Sequence, residues 1–504
     1  MGPVPELDER AHACARRLCE ADAVLLASHI DADGLTSAAI ASTALARAGI
    51  EHDVVFKKQL DEAEIASIAA REFETVLFTD FGSGQLDVIT EHEQAGDFVP
   101  VIADHHQPAD GDTEFHLNPL LEGIDGASEL SGAGASYVLA RALADEAEER
   151  TALGDQDDDA AALADETAVP TPAGSPAEGD GRADNRDLAA LAIVGAVGDM
   201  QATQGELVGA NRALVEEGME VGVIEEGTDL ALYGRQTRPL PKLLEYASEI
   251  RIPGISNDQQ GAVSFLEDLD VDLHDGDQWR RWVDLTDDER QTVASALLQH
   301  ALRRGVPPSK AERLVGTTYT LAREREGTEL RDASEFSTLL NATARYERAD
   351  VGLAVCLGDR ADAFERARRL LDNHRRNLSE GLDTVKRQGV ERADHVQWFD
   401  AGEEIRETIV GIVAGMALGV DGVDPDRPIL AFARKNDEET KVSARGTGRL
   451  VGRGLDLSVV VGEAARSVGG DGGGHDIAAG ATIPAGNERA FVDEADTLVA
   501  DQLG

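Results

Sequence analysis

Four short segments of this 504-residue chain hold a high density of side chains that bind metal ions. The segments are His29-Ile30-Asp31-Ala32-Asp33-Gly34, Asp80 with its apolar neighbours, Asp104-His105-His106, and Gly198-Asp199. Carboxylates gathered at one place would repel one another, and burying them unpaired costs free energy. A pair of divalent cations removes both problems, and a mixture of histidines and carboxylates suits Mn²⁺ or a similar borderline ion. The residue types therefore indicate a site for two divalent metal ions.

The elements around these segments predict that they meet. Residues 20–106 alternate apolar runs with Ala-rich stretches of helical spacing, which is typical of a doubly wound α/β domain with a parallel sheet. The apolar runs are Val24–Ile30, Val54–Phe56, Thr75–Phe81 and Phe98–Ala103, and the helical stretches are Leu35–Ala48 and Glu62–Arg71. The carboxyl ends of parallel strands share one edge of the sheet, where ligand sites form. Three of the acidic segments are therefore expected to converge, and Gly198-Asp199 closes a further apolar helix or strand.

Each segment taken alone has a structural explanation. An isolated Asp at a strand end usually forms a turn or caps a helix, and the segment from His29 to Gly34 alone could be a capped turn. Asp104-His105-His106 is harder to explain in this way, because adjacent histidines on a buried strand point to opposite faces. All four segments together, on one scaffold, favour a functional site.

Together the four segments resemble the signature motifs of the DHH phosphoesterase superfamily. That family includes RecJ exonucleases, nanoRNases, cyclic-dinucleotide phosphodiesterases and a class of manganese pyrophosphatases. The resemblance covers most of residues 20–205. It implies that His29 and Asp31 bind one ion, with Mn²⁺ preferred and Mg²⁺ as the alternative. The second ion would be bound by Asp33, His105 and Asp199, and Asp80 would bridge the two.

The resemblance also implies catalytic roles for two residues beside these ligands. Asp104 would orient its neighbours without binding an ion itself. His106 would face the substrate and stabilise charge on the phosphate or guide a proton. Two ions about 4 Å apart can position the attacking water and neutralise the charge that develops on a phosphate. No metal position is substituted, so the resemblance implies an active enzyme.

A second match lies near the C-terminus. Ser443-Ala444-Arg445, followed by Gly472-Gly473-Gly474-His475 and Ala478-Ala479-Gly480, resembles the substrate-binding domain that follows the DHH domain in RecJ-type and nanoRNase-type enzymes. The glycines let the backbone approach a phosphate closely, and its N–H groups could bind the phosphate together with Arg445 and His475. The substrate-binding residues implied in this way are Ser443, Arg445, Gly473, Gly474 and His475.

The composition limits the class of protein and its location. Forty-seven basic against 96 acidic residues give a net charge of −49, and only seven of the basic residues are Lys. A dispersed acidic surface with scarce Lys resembles halophilic proteins, and at about 1 M salt charges are screened beyond about 3 Å, so the net charge does not exclude a nucleic-acid substrate. The three cysteines form no CxxC pair. A charged N-terminus and short apolar runs predict a soluble, cytoplasmic protein without a membrane span.

The chain is expected to contain three parts. Residues 1–240 form the DHH phosphoesterase domain, with a disordered acidic insertion at residues 150–187. Residues 241–390 form a helical middle region that ends in a long polar helix at residues 361–390, and residues 391–504 form a smaller α/β substrate-binding domain. Arginines of the long helix, from Arg366 to Arg376, either follow a nucleic-acid backbone or pair with neighbouring acids such as Glu365 and Asp372.

The resemblance leaves the phosphoester open. A pyrophosphatase would not need about 300 residues after Asp199, and nanoRNase-type enzymes are commonly shorter. A long helix between two α/β domains resembles RecJ, in which a cleft between the domains threads one strand. The favoured function is a Mn²⁺-dependent exonuclease on single-stranded DNA or RNA, of an archaeal, haloarchaeal type with roles in DNA repair or replication. The alternatives are a nanoRNase or cyclic-dinucleotide phosphodiesterase, and a non-catalytic replisome scaffold. By resemblance alone, the GINS replication complex is an expected partner.

Overall fold

The computed structural model describes residues 2–154, 184–202, 205–247, 250–420 and 422–503. It divides into two compact units, Met1–Ala367 and Arg368–Gly504. Most of the acidic insertion predicted at residues 150–187 lies outside the described residues. Among the described helices, none is long and apolar enough to cross a membrane.

A five-stranded parallel sheet forms the centre of the first unit. Its strands are β1 (Ala23–His29), β2 (Glu51–Lys57), β3 (Thr75–Thr79), β4 (Val99–Ala103) and β5 (His116–Leu117). They lie in the order β2-β1-β3-β4-β5, and each neighbouring pair is parallel. The predicted parallel α/β domain is therefore confirmed. Because β1, β3 and β4 are neighbours, the residues that follow them lie side by side at one sheet edge.

Helices cover this sheet and bring a fourth segment to it. They are α1 (Asp8–Glu20), α2 (Ala32–Arg47), α3 (Glu62–Ala69), α4 (Leu86–Ala95), α5 (Gly132–Gly154), α6 (Ala189–Gly198) and α7 (Ala210–Glu220). Helices α3 and α4 pack on the sheet through a core that includes Ile65, Phe78 and Ile89. Helix α2 is built largely from Ala, Ser and Thr and is buried along most of its length, so α5 and α6 approach it closely.

Two strand boundaries differ from the sequence prediction for a local reason. The apolar run Thr75–Phe81 ends as a strand at Thr79, because Asp80 has a left-handed backbone with φ of 58°. The apolar residues before Asp199 were compatible with either a helix or a strand, and in the structure they form the helix α6.

The middle of the chain contains strands as well as the expected helices. Strands β6 (Ile224–Leu230) and β9 (Val315–Leu321) pair in antiparallel fashion, and β7 (His274–Asp275) pairs with β8 (Gln278–Trp279). The helices are α8 (Leu240–Glu245), α9 (Gln259–Glu267), α10 (Asp287–Arg303), α11 (Pro308–Ala311), α12 (Ala333–Arg345) and α13 (Ala349–Cys356). Between β6 and β9 the chain builds a separate core around Leu243, Trp282 and Leu297.

Helix α12 carries a fully buried carboxyl group at Glu335. Its Oε1 accepts a hydrogen bond of 2.8 Å from the backbone N–H of Gln236, and its Oε2 accepts one of 2.5 Å from the hydroxyl of Thr237. Burial, followed by the charge of Asp332, raises the pKa of Glu335 to about 7 from its ordinary value of 4.5. The folded state therefore holds this proton more tightly than the unfolded state does.

We expect Glu335→Gln to change how stability depends on pH. A raised folded-state pKa contributes stability that is present below pH 4.5 and lost as the pH rises through about 7. The free energy of unfolding of the wild type should therefore fall relative to that of the variant across this window, by at most about 3 kcal/mol. Denaturant titrations at a series of pH values measure the difference, with the exposed Glu326→Gln as control. A difference that stays constant with pH would contradict the assignment.

The second unit holds a six-stranded sheet in the order β10-β11-β12-β13-β15-β14. Its strands are β10 (Glu391–Arg392), β11 (Gln397–Asp400), β12 (Ile429–Arg434), β13 (Glu439–Arg445), β14 (Asp471–Gly474) and β15 (Ala478–Pro484). Strands β11 and β12 are parallel, and the other neighbours are antiparallel. The helices are α14 (Asp362–Gln388), which spans the unit boundary, α15 (Val410–Ala417), α16 (Gly448–Val451), α17 (Leu457–Ser467) and α18 (Glu488–Leu503). The predicted smaller α/β domain at the C-terminus is confirmed.

Candidate metal centre

The turn from β1 into α2 positions the first segment. Asp31 is the N-cap of α2, where its carboxylate accepts a hydrogen bond of 3.0 Å from the N–H of Gly34. Asp33 is buried and accepts hydrogen bonds of 2.8 and 3.1 Å from the N–H groups of Gly132 and Ala133, at the start of α5. Unpaired N–H groups at a helix start stabilise a negative charge. The fold thus fixes a buried carboxylate beside the end of β1.

Asp80 lies at the centre of the cluster and has an unusual backbone. Its left-handed φ of 58° is uncommon outside glycine and carries strain, which is often found at functional sites. The N–H of Asp80 donates a hydrogen bond of 3.1 Å to the carbonyl of Ala103, so β4 holds the turn in place. Its side chain is 2% exposed, and its buried Oδ2 has the Nδ1 of His29 as a neighbour at 3.4 Å, without a well-aligned hydrogen bond from a described residue. A buried carboxylate is stabilised by positive charge beside it, which a protonated histidine or a metal ion can supply.

The segment after β4 gives its three residues different environments. Asp104 is fully buried, and its two oxygens accept hydrogen bonds from the N–H of Ser83, the N–H of His105 and the Nδ1 of His106. The Nδ1 of His105 donates to the carbonyl of Gly126 at 2.6 Å, which leaves Nε2 as the nitrogen that can bind an ion. Asp104 is therefore engaged by the protein, whereas His105 presents an open nitrogen to the cluster.

Asp199 follows α6 and is held by a residue that the sequence analysis missed. The side-chain amide of Gln201 donates hydrogen bonds of 2.9 Å to Asp199 and 2.8 Å to the carbonyl of Gly126, which also accepts from His105. Asn211 in turn donates to the amide oxygen of Gln201 at 2.7 Å. Gln201 thus connects two of the sequence-predicted ligands. An isolated Gln carries no motif, so only the geometry identifies it.

The six sequence-predicted ligands form two groups that meet at Asp80. In the first, the Nδ1 of His29 lies 3.2 Å from an oxygen of Asp31 and 3.4 Å from the Oδ2 of Asp80. In the second, the Nε2 of His105 lies 3.8 Å from Asp33 and 3.8 Å from Asp199, and 3.3 Å from the Oδ1 of Asp80. Ligand atoms of His29, Asp31 and Asp80 lie within 4.8 Å of one another, and so do those of Asp33, His105 and Asp199. The two oxygens of Asp80 therefore face one group each.

The electrostatics of the cluster show an excess of negative charge. Burial and the charges of Asp80 and Asp199 raise the pKa of Asp33 well above its ordinary value. Burial alone would lower the pKa of His29 and His105, but their hydrogen bonds to neighbouring carboxylates raise each to about 11. The carboxylates thus stabilise positive charge beside them, whether on a histidine or on a bound cation. The buried oxygen of Asp80 and the mixed donor set fit divalent cations.

Two glycines let the elements of the site come together. A Cβ on Gly132 would lie 2.5 Å from the Oδ1 of Asp80. A Cβ on Gly195, in the interior of α6, would overlap Asp33 and the side chains of Thr36 and Ala133. Gly195 lies in the apolar helix that Gly198-Asp199 closes, whereas Gly132 carried no signal in the sequence. Both positions require glycine because ligand side chains occupy the space of a Cβ.

The sequence-predicted substrate residues lie together in the second unit. Ser443 is paired across the sheet with Gly480, which is paired with Gly473 on β14. Arg445 ends β13 on the same face as Ser443, and a Cβ on Gly411 would contact the side chains of both. Gly474 has a φ of 144°, and the exposed His475 follows it. Strand β14 is the edge strand, so Gly473 and Gly474 leave part of their backbone open to a ligand.

The arginines of α14 have partners close by. Arg366 pairs with Asp350 at 3.3 Å, and Arg375 pairs with Asp372 at 3.7 Å. Arg376 donates to Asn373. Of the two explanations that the sequence offers for these arginines, the contacts agree with local pairing on a solvent-facing side of the helix.

Comparisons with protein families match three parts of the chain. The DHH family, N-terminal domain matches residues 23–164, the DHH-CID domain matches residues 232–315, and the DHHA1 domain matches residues 395–501. The first match contains five of the six grouped side chains, and the second fills the segment between β6 and β9. The third covers β11 to β15.

Known relatives resemble this chain along most of its length. An uncharacterized protein of Methanocaldococcus jannaschii is 27% identical over 485 residues, which is 94% of this chain and 93% of the relative. RecJ from Thermus thermophilus, solved with Mn²⁺ and also with Mg²⁺, is 19% identical in the Mn²⁺ structure, with a TM-score of 0.57 over 99% of this chain and 55% of RecJ. Cdc45 from Entamoeba histolytica is 11% identical, with a TM-score of 0.62 over 98% of this chain and 99% of Cdc45. This chain thus spans about half the length of the Thermus RecJ, and likeness at these identities shows the fold alone.

Proposed function

This chain belongs to the DHH superfamily and has a RecJ-like fold, and from this premise we propose that it is a Mn²⁺-dependent exonuclease that hydrolyses single-stranded DNA or RNA. The observation that carries the proposal is the meeting of two ligand groups at the two oxygens of Asp80. A two-metal site needs one shared carboxylate between two sets of ligands, and this arrangement provides it.

The proposed ligands divide between two ions. His29 and Asp31 would hold the first ion, with Asp80 shared, and the second set consists of Asp33, His105 and Asp199. Two bound divalent ions supply charge neutralisation at a phosphate and a water of lowered pKa. Gln201 is proposed as a positioning residue, because its amide fixes Asp199 and shares the carbonyl that fixes His105.

His106 is proposed to contact the substrate. Its Nδ1 donates to the buried carboxylate of Asp104 at 2.8 Å, so its Nε2 points away from Asp104. The hydrogen bond to Asp104, which burial opposes, raises the pKa of His106 above its ordinary value. The side chain is 55% exposed, unlike that of His105 at 7%. A charged, accessible imidazole can bind a phosphate oxygen or pass a proton to a leaving group.

The second unit is proposed to bind a phosphate of the same substrate. Arg445 offers a guanidinium, Ser443 a hydroxyl, and Gly473 and Gly474 an approach along an edge strand. Lys441 lies on the same face of β13, where burial lowers its pKa. These groups recognise phosphate and sugar, so they do not distinguish one base from another.

A second candidate is the non-catalytic scaffold. The fold likeness to Cdc45, which covers nearly the whole of both chains, is compatible with it. The GINS complex stays a proposed partner by the resemblance of the sequence alone. The complete set of six ligand side chains favours catalysis instead, because a scaffold has no need to keep several carboxylates together in a buried cluster.

Digestion of single strands of different length tests the proposal. DNA and RNA strands labelled at the 5′ or the 3′ end would be incubated with Mn²⁺ at molar KCl. We expect strands of about 40 nucleotides to be degraded as readily as pentanucleotides, because an exonuclease binds the backbone near the end that it cleaves and does not contact the other end. Cleavage of the shortest strands alone would support the nanoRNase alternative, and the absence of hydrolysis at every length would support the scaffold.

A further inference from the structure

A pocket of about 340 Å³ lies in the segment between β6 and β9, and its lining includes none of the metal-centre residues. Four of its lining side chains are cations, and we call it the four-cation pocket: Arg251, Arg304, Lys310 and Arg313. Its other described lining residues are uncharged. All four cations are exposed to solvent.

The charge of this pocket departs from that of the rest of the chain. Acidic residues outnumber basic ones by 96 to 47, and many basic side chains elsewhere in the first unit form ion pairs, as Arg16 does with Glu146 and Arg348 with Asp350. Within the part of the chain that the structure describes, none of the four pocket cations has an ion pair or a side-chain hydrogen bond. Four like charges around one cavity repel one another, so a bound anion would stabilise them.

The backbone that carries the cations is anchored in a core. Three neighbours of the cations are buried in the core of the middle segment. They are Ile250, which precedes Arg251, Val306, which lies between Arg304 and Lys310, and Leu314, which follows Arg313. The ring Nε2 of His300, near the end of α10, lies 3.2 Å from the carbonyl oxygen of Pro253. This contact connects α10 to the lining segment that contains Arg251 and Pro253. The pocket therefore does not need to be assembled by its ligand, which lowers the entropic cost of binding.

We propose that the four-cation pocket binds phosphates of a single-stranded nucleic acid, at a position separate from the metal centre. The inference rests on the proposed function for the identity of the ligand. Arg and Lys form charge-assisted hydrogen bonds to phosphate oxygens, and each such contact releases counterions from the strand, so binding through the pocket depends on salt. The pocket would hold the strand by its backbone while another part of it is cleaved.

The lining favours a phosphate chain over an acidic protein partner. Protein interfaces are centred on aromatic and aliphatic anchors that enter apolar pockets. Of the apolar lining residues, Ile250 and Val306 are only 4% and 8% exposed, and the exposed ones are the small rings of Pro253 and Pro307, so the pocket offers no large apolar surface for such an anchor. No aromatic side chain is among the described lining residues, so bases would not stack here and binding would not depend on sequence.

Strand binding without divalent metal tests the pocket apart from catalysis. Fluorescence anisotropy would follow a labelled oligothymidylate of about 40 nucleotides in EDTA, across a KCl series. The pocket variant combines Arg251→Gln, Arg304→Gln, Lys310→Gln and Arg313→Gln. The control variant removes the same charge from paired surface sites by Arg16→Gln, Lys58→Gln, Arg212→Gln and Arg348→Gln. Arg251→Gln and Arg313→Gln, each alone, provide a second measurement with less risk to folding.

The pocket variant should bind at least about tenfold more weakly than the wild type, and each lost phosphate contact should reduce the salt slope by about 0.7. The control variant should stay within about twofold, and the single variants should lie between. Equal affinity of the pocket variant and the wild type, or an equal loss in both quadruple variants, would overturn the inference. Binding of polyglutamate at the pocket, without binding of the strand there, would also overturn the inference. Strand binding without hydrolysis in Mn²⁺ would instead contradict the proposed function and leave the pocket standing.

Discussion

Replacement of Asp80 by Asn is expected to reduce kcat/KM for strand hydrolysis by at least about 1,000-fold, equivalent to about 4 kcal/mol of transition-state stabilisation. The substitution removes the negative charge that both ligand groups share, replaces the oxygen at one group by an NH2 that cannot bind a metal ion, and leaves the other group a neutral carbonyl oxygen. Asn is the appropriate replacement because it tolerates the left-handed backbone of residue 80, whereas Ala would add strain. The side chain also keeps its size inside the buried cluster.

Two measurements separate the loss of chemistry from a loss of structure. Steady-state hydrolysis in Mn²⁺ gives the loss of activity, and a Mn²⁺ binding isotherm should show weaker binding of both ions. Asp87→Asn, on the exposed first turn of α4, is the matched control and should retain activity. Near-normal turnover by the Asp80 variant would overturn the assignment of a shared ligand.

Replacement of Gly195 by Ala is expected to destabilise the fold and remove activity together. In the interior of an exposed helix this change is favourable by up to about 1 kcal/mol. At Gly195 the added Cβ would overlap Asp33, Thr36 and Ala133, so α6 must move away from α2 and α5. We expect a loss of at least about 2 kcal/mol in the free energy of unfolding, because overpacking at a rigid contact forces a backbone shift.

Gly415→Ala is the matched control, because a Cβ at that helix position meets no close neighbour. Gly415 lies in α15, is exposed, and its added Cβ would have its nearest neighbour at 4.0 Å. This variant should be as stable as the wild type or more stable. Denaturant titration and hydrolysis would be measured for both variants. If Gly195→Ala raised stability as Gly415→Ala does, α6 would not pack as the structure has it.

The sequence predicts which side chains meet in the candidate metal centre because most of them follow strands. Asp33, Asp80 and His105 each come directly after a β-strand or within the first turn after it, and parallel topology brings such positions to one edge. Asp199 comes from a helix, and its place in the cluster was implied by the family motif alone. Gln201 and Gly132 could not be predicted, because a hydrogen bond to a ligand and the absence of a Cβ leave no residue pattern.

The middle of the chain shows where sequence patterns fail. Strands β6 and β9 pair across the whole segment that separates them, so neither carries a local hairpin signal. The four-cation pocket likewise joins Arg251 to three cations more than fifty residues later. Its cations are scattered in sequence among acidic neighbours, and only the fold shows that they share a cavity.

The most direct test of the two-metal account is anomalous diffraction from crystals of the protein grown or soaked with Mn²⁺. Two anomalous peaks about 4 Å apart are expected. One should lie between His29 and Asp31, the other among Asp33, His105 and Asp199, with Asp80 contacting both. A cluster without a peak, or with a single peak that Asp80 contacts through one oxygen, would contradict the account.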